Sequence, residues 1–237
     1  MKEFIVLSPN VSCESARFLA EMLDAKYENP YETGNRDFSQ YKYTFKYGFS
    51  RKIKANTVFN KTKNVEIAID KLKFLNAFKG SGLTVDFTQD IKEATQWLKN
   101  NDCVVARNEL DGSNGDGLVY CEDLKTLNNT PAIFWTKYVE HTNEFRVYLW
   151  KDTVISIYDK KQIDGHFQFV LFKGAEDNPQ LVSLAKEVYN RVGLDWCGAD
   201  VLRDNKGKLT LLEVNSGPIL FPYTAKKLVN ILKQEIK

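Results

Sequence analysis

The sequence predicts an α+β fold, and three observations carry that prediction. Residues 41–49, YKYTFKYGF, alternate ring and polar side chain with period 2, as a half-buried strand does. Residues 178–192 read as a helix, with Asp177 or Asn178 as cap, Pro179 in the first turn and Gly193 beyond the end. Two strand-like runs, 196–203 and 208–215, flank Asp204-Asn205-Lys206-Gly207, a hairpin turn late in the chain. Mixed helices and strands with antiparallel hairpins argue for α+β over a regular doubly wound sheet.

The remaining elements follow in order. Residues 3–7 predict a short buried strand. Residues 12–25 predict a helix with Ser12 as N-cap and Glu14 in its first turn. Residues 28–40 carry Pro, Gly, Asn and Asp and read as loop. Helical patterns follow at 64–79, ended by Gly80, and at 89–100 behind Thr88. Strands are expected at 102–107, 117–121, 132–139, 144–150 and 153–160, and a last amphipathic helix at 223–236.

Composition narrows the function. The 237 residues correspond to roughly one and a half domains at about 150 residues each. Apolar residues make up 43%, enough for a core. Lys plus Arg number 33 against 31 Asp plus Glu, so the net charge of +2 supplies no global polycation for nucleic acid. No apolar run approaches the ~18 residues of a membrane span, and Phe4–Leu7 is too short for a signal peptide, so a cytoplasmic protein is expected. Cys13, Cys103, Cys121 and Cys197 are far apart, which reads as reduced, inert thiols. HExxH, GxSxG and GxxxxGK[ST] are absent, and only His141 and His166 offer imidazole. Enzymatic chemistry would therefore run on carboxylates, Lys, Arg, backbone amides and a hard metal.

Four segments can carry such chemistry. In WCGADVLRDNKGKLTLLEVNSGP (196–218), Glu213 and Asn215 share a strand face, and the hairpin can bring Asp200 beside Glu213. Two carboxylates and an amide oxygen suit Mg²⁺ better than zinc; the plain alternative is a solvated hairpin edge. In RNELDGSNGDG (107–117), Gly112, Gly115 and Gly117 let backbone N–H groups approach a phosphate, Ser113 adds a hydroxyl and Arg107 a bidentate donor. An ordinary hairpin turn would look the same. On a helical wheel for 65–78, Lys71 falls on the apolar arc and must snorkel, pair or meet an anion. Within EFRVYLW, Glu144, Arg146 and Tyr148 share one face, lining a cleft or forming a cross-strand pair. Lys160 and Lys161 can join that cleft or stay solvated. The run 41–54 mixes rings with cations, but its alternation favours rings facing a core over nucleic-acid stacking.

From Asn60 to Pro218 these pieces stand in the order of an ATP-grasp enzyme. The wording EFRVYLW with LLEVNSGP resembles most the small carboxylate–amine ligases found in tailed phages. The resemblance implies two α+β lobes sandwiching ATP, behind a short α/β N-terminal lobe: 1–60, 61–135 with the glycine-rich loop, and 136–237 with the metal site. It implies ATP contacts from Lys71, Arg107, the loop residues Gly112, Ser113, Gly115 and Gly117, the hinge Lys137-Tyr138-Val139, and Glu144. Arg146 with Lys160 or Lys161 would touch the reacting phosphate, and Asp200, Glu213 and Asn215 would hold Mg²⁺. Two departures stand out: Arg107 where most members carry Lys, and Thr136 where an acidic residue is common. The implied activity joins a carboxylate, small or peptidic, to an amine through an acyl phosphate, releasing ADP and phosphate. Alternatives are a small-molecule kinase on the same fold and a non-catalytic nucleotide or nucleic-acid module on residues 41–63. No membrane partner is expected, and a homodimer stays open.

Overall fold

Residues 2–59 build a four-stranded parallel sheet in the order β2-β1-β3-β4. Its elements are β1 (Lys2–Leu7), α1 (Glu14–Met22), β2 (Lys26–Glu28), α2 (Pro30–Thr33), β3 (Tyr41–Lys46) and β4 (Thr57–Phe59). The structure, a computed structural model, describes residues 2–100, 102–111, 117–163, 166–174 and 178–235. Strands β1 and β3 are the inner pair and are covered on both faces, as parallel strands usually are. The rings of Tyr41, Phe45, Tyr47 and Phe49 are buried, so the 41–49 segment offers none of these four for stacking on bases. Strand β3 stops at Lys46, and the chain turns at Gly48 with φ +69°. Lys46 itself is fully buried, unlike an outward-facing polar residue. Its ammonium donates to Arg51 O at 3.0 Å and Thr62 Oγ1 at 2.6 Å.

Two local expectations need correction here. Helix α1 starts after Cys13, because Ser12 instead donates its N–H and Oγ to Asn10 Oδ1 at 2.9 and 2.8 Å, closing an Asx turn. The supposed loop 28–40 contains α2, capped by Asn29 accepting from Tyr31 N, with Pro30 in its first turn.

The expected helix 64–79 is two helices, α3 (Thr62–Ile69) and α4 (Lys71–Ala77). Asp70 breaks them: its backbone is extended at ψ 104°, and its carboxylate caps α4 by accepting from Lys73 N at 2.9 Å. The break frees the Lys71 N–H, which donates to Leu110 O at 2.9 Å. The apolar arc assumed across 65–78 is therefore not one helical face.

A second sheet, order β5-β8-β6-β7, is antiparallel. It comprises β5 (Phe87–Thr88), α5 (Ile91–Lys99), β6 (Val104–Arg107), β7 (Leu118–Cys121), α6 (Leu124–Asn129) and β8 (Phe134–Lys137). Its small core joins Trp97 of α5 and Leu127 of α6 to Val104, Cys121 and Trp135. Asp90, not Thr88, caps α5. Strand β8 spans the position 135/136 where a lobe boundary was expected.

The third sheet runs β11-β10-β9-β12-β13 and is antiparallel throughout. It comprises β9 (Asn143–Trp150), β10 (Thr153–Ile163), β11 (His166–Leu171), α7 (Pro179–Val192), β12 (Trp196–Arg203), β13 (Leu209–Asn215) and α8 (Pro222–Glu235). Asn178 caps α7, and Gly193 ends it in the left-handed conformation. Strand β9 alternates as its sequence requires. Phe145, Val147 and Leu149 enter the main core with residues of α3, α4 and α7. On the other face Tyr148 and Trp150 join Trp196 in a second core with the N-terminal sheet, α1 and α8. Glu144 and Arg146 share that second face but lie in a cleft. No described helix is long and apolar enough to cross a membrane.

Candidate active site

A cleft of about 460 Å³ opens between the second and third sheets. Its lining divides into an apolar and aromatic set, including Val85, Val105, Leu118, Tyr120, Tyr138 and Val139, and a charged set. The charged set is Lys71, Arg107, Lys137, Arg146 and Lys160 with Glu144, Asp200 and Glu213. Among the described lining residues five cations thus meet three carboxylates, with Lys137 also held by Asp86 and Asp102 outside the lining.

Strand register explains the pairings. Asp200 lies opposite Arg146 across β12–β9 and opposite Glu213 across β12–β13, while Lys160 lies opposite Glu144 across β10–β9. Arg146 donates Nε to Asp200 Oδ1 and a terminal nitrogen to Oδ2, both at 2.7 Å. Burial opposes the Arg146 charge, but the hydrogen bonds and charge of Asp200 outweigh it and raise the pKa above the ordinary arginine value. Lys160 Nζ lies 2.5 Å from Glu144 Oε1 and 3.7 Å from Asp200 Oδ2. Lys71 Nζ lies 3.7 Å from Glu213 Oε2, and Asn215 Nδ2 donates to Glu213 Oε1 at 3.1 Å. Burial lowers the Arg107 pKa, while the Glu213 charge opposes that shift. Arg107 Nε is buried and has no hydrogen-bond partner among the described residues. An unpaired buried donor of this kind costs about 1–3 kcal/mol, which an anionic ligand would offset.

These residues fit a nucleotide triphosphate with a hard cation. The orphaned Arg107 Nε and the clustered cations suit the polyphosphate. Among the described residues no three His, Cys, Asp or Glu side chains converge on a metal position, and beside Asp200 and Glu213 the Asn215 amide, hydrogen-bonded to Glu213, is a further oxygen that could serve a cation. Each Asp200 oxygen accepts one bond from Arg146 and retains a lone pair for a cation.

The other expected residues fall in varied places. Lys137 lines the cleft, but its ammonium is also held by Asp102 at 3.0 Å and Asp86 at 3.7 Å. Tyr138 and Val139 line the cleft as well; the Tyr138 N–H already donates to Cys103 O at 2.8 Å. Gly117, φ +71°, closes the loop base, where a Cβ would meet Asn108 Oδ1 at 2.5 Å. Gly112, Ser113 and Gly115 lie outside the described residues. Lys161 is not brought to the cleft: strand alternation turns it away from Lys160, and it pairs with Asp159 at 3.2 Å. Sequence reasoning passed over Tyr120, Phe167 and Phe169, which also line the cleft. Tyr120 follows Leu118 at the two-residue period, so alternation along β7 would have found it. His141 lies 3.0 Å through Nδ1 from Val139 O and lines the cleft.

With this geometry in view, comparison with known proteins decides the family. Residues 60–237 match the RimK-like ATP-grasp domain, three quarters of the chain. The chain belongs to the RimK-like ATP-grasp family. A probable alpha-L-glutamate ligase of Marinomonas sp. (strain MWYL1) is 26% identical over 178 residues, covering 67% of this chain and 59% of the relative. Another, from Nitrosococcus oceani, is 28% identical over 168 residues, covering 63% and 56%. The chain thus spans less than two thirds of the length of these relatives. Among solved structures, the ATP-grasp ligase PsnB complexed with a minimal precursor superposes with TM-score 0.75 at 14% identity, covering all of both chains. The D-alanyl-alanine synthetase A of Vibrio cholerae gives 0.70 at 13% identity over 98% of each chain. At such identities the likeness is one of fold, and the ATP-grasp architecture, α+β throughout, is shared.

Proposed function

We propose that this ATP-grasp protein is an ATP-dependent carboxylate–amine ligase. The observation that carries the reading is the cleft itself: clustered cations with an orphaned Arg107 Nε beside Asp200 and Glu213, and Asn215 hydrogen-bonded to Glu213. The relatives named as glutamate ligases and the peptide-bound PsnB support a carboxylate–amine chemistry with amino-acid or peptide substrates. The lobe division 1–60, 61–135 and 136–237 belongs to the same reading, with ATP between the second and third.

Lys71 and Arg107 would hold the phosphates, with the glycine-rich loop 111–117 over them. Val105, Leu118, Tyr120 and the hinge at Tyr138–Val139 would take the base, and Glu144 the ribose. Asp200, Glu213 and Asn215 would hold Mg²⁺, which neutralises charge on the β- and γ-phosphates when bound. Arg146 and Lys160 would stabilise the phosphoryl group as a substrate carboxylate oxygen bonds to the γ-phosphorus and the bond to ADP breaks. The amine nitrogen then bonds to the acyl carbon, phosphate leaves, and the surplus amine proton is lost with it. Positioning and charge do the catalysis, and no side chain becomes covalent.

The test is ADP release with ATP, Mg²⁺ and a panel of amino acids and peptides as acid and amine. The expected result is release that requires both substrates and is abolished by Glu213→Gln. A stable phosphorylated product formed without any amine would make the protein a kinase instead.

A further inference from the structure

Asn60, between β4 and α3, is fully buried and left-handed at φ +60°. Among non-glycine residues asparagine enters that region at small cost. Its side chain spans three segments. Oδ1 accepts from Trp196 N at 2.9 Å, and Nδ2 donates to Trp196 O at 2.9 Å. The same Nδ2 reaches Lys46 O and Ser216 O, each at 3.3 Å. Its backbone N–H donates to Asp195 Oδ2 at 2.8 Å. One amide therefore ties the end of β3 to the start of β12 and to the residue just past β13.

The segment after β13 is gripped further by the N-terminal lobe. Gly48 N donates to Ser216 O at 3.2 Å, Tyr47 Oη to Pro218 O, and Leu220 N donates to Ser15 Oγ at 3.0 Å. Backbones meet closely here: a Cβ on Gly217 would sit 2.9 Å from Gly48 N. From the third sheet, Tyr148 Oη donates to Ile219 O at 2.5 Å. Every gripped residue, from Ser216 to Leu220, lies within five positions of Asn215, the amide of the candidate metal set.

We propose that Asn60, together with the Tyr47–Gly48 turn, is a positioning device that sets where Asn215 stands relative to Asp200 and Glu213. The N-terminal lobe, which apart from Asn60 precedes the matched ATP-grasp domain, thus helps build the metal site. This rests on the ligase reading of the cleft. A latch that served stability alone would lower melting temperature without touching metal affinity, and the two outcomes are separable.

The experiment measures Mn²⁺ binding by electron paramagnetic resonance, with and without ATP, in the full chain, for wild type, Asn60→Gly and Tyr47→Phe. Asn60→Gly keeps the backbone conformation and removes the amide; Tyr47→Phe removes one hydroxyl and keeps the ring. The expected result is a Mn²⁺ dissociation constant in the ATP complex raised at least tenfold by Asn60→Gly and severalfold by Tyr47→Phe, with metal-free ATP affinity within twofold of wild type. If Asn60→Gly does not fold, Tyr47→Phe alone decides. Unchanged Mn²⁺ affinity in a folded variant, whatever its melting temperature, overturns the proposal and leaves the ligase reading intact. A wild type with no ATP-dependent Mn²⁺ binding overturns both.

Discussion

Both carboxylate oxygens of Asp200 are held by the Arg146 guanidinium at 2.7 Å. Asp200 is 3% exposed, so this pair is removed from water while it lines the cleft. Its partners come from neighbouring strands, which fixes the carboxylate before any ligand arrives. Arg146→Ala would leave Asp200 buried with only Lys160 at 3.7 Å to compensate it, and is expected to cost about 3–5 kcal/mol of stability, read by urea denaturation. Arg146→Lys keeps the charge but loses the fork, and should retain the fold while ADP release falls at least tenfold.

Arg107 presents the opposite balance. Its buried Nε lacks a partner among the described residues, so the unliganded protein gains little from it. Arg107→Met should leave the melting temperature of the free protein unchanged or raise it. The same change should weaken Mg·ATP binding by about 1.5–3 kcal/mol, roughly ten- to a hundredfold, measured by calorimetry.

Lys160 and Lys161 separate adjacent residues by strand face. Lys160→Ala should reduce ADP release at least a hundredfold, because its ammonium joins Glu144 and Asp200 in the cleft. Lys161→Ala, on the other face beside Asp159, should stay within about twofold, since exposed pairs contribute little. Equal losses from both would mean that the strand phase assigned to β10 is wrong.

Lys46 sets a pH dependence of stability. Burial lowers its pKa from 10.5 to about 8, with the Glu66 charge opposing. Between these values the unfolded state binds more protons than the folded one, so this group makes stability rise with pH from about 8 to 10. The full shift corresponds to an upper bound of about 3 kcal/mol. Cys197, pushed up to about 12 by burial, pulls the other way above pH 9, because the folded thiol keeps its proton. The difference between wild type and Lys46→Met isolates the lysine: that difference should move in favour of wild type as pH rises, measured by denaturation at pH 7.5 and 9.5.

The parts of the site that sequence patterning reached are those set by local geometry. The hairpin of β12 and β13 follows from the turn residues Asp204–Gly207, but the facing of Asp200 and Glu213 also needs a register shift between Asp200 and Val201, since an unbroken ladder would set Leu212 opposite Asp200. The parts it missed depend on distant register or on one backbone angle. Asp70 ends a helix that periodicity alone would continue. The pairing of β10 with β9 shifts between Val154 and Ser156, so the strand's own pattern cannot choose between Lys160 and Lys161. Asn60 gains its role from Trp196 and Ser216, more than a hundred residues away in the chain. Strand β11 hides behind the polar run at 159–162.

The four tryptophans divide between two separate cores. Trp97 and Trp135 sit in the small core of the second sheet, and Trp150 and Trp196 where the N-terminal lobe meets the third sheet. The chain therefore carries two pairs of intrinsic fluorophores, one on each side of the cleft. Removing either pair leaves emission that reports on one half alone, so loosening of the two walls can be timed independently in a single unlabelled molecule.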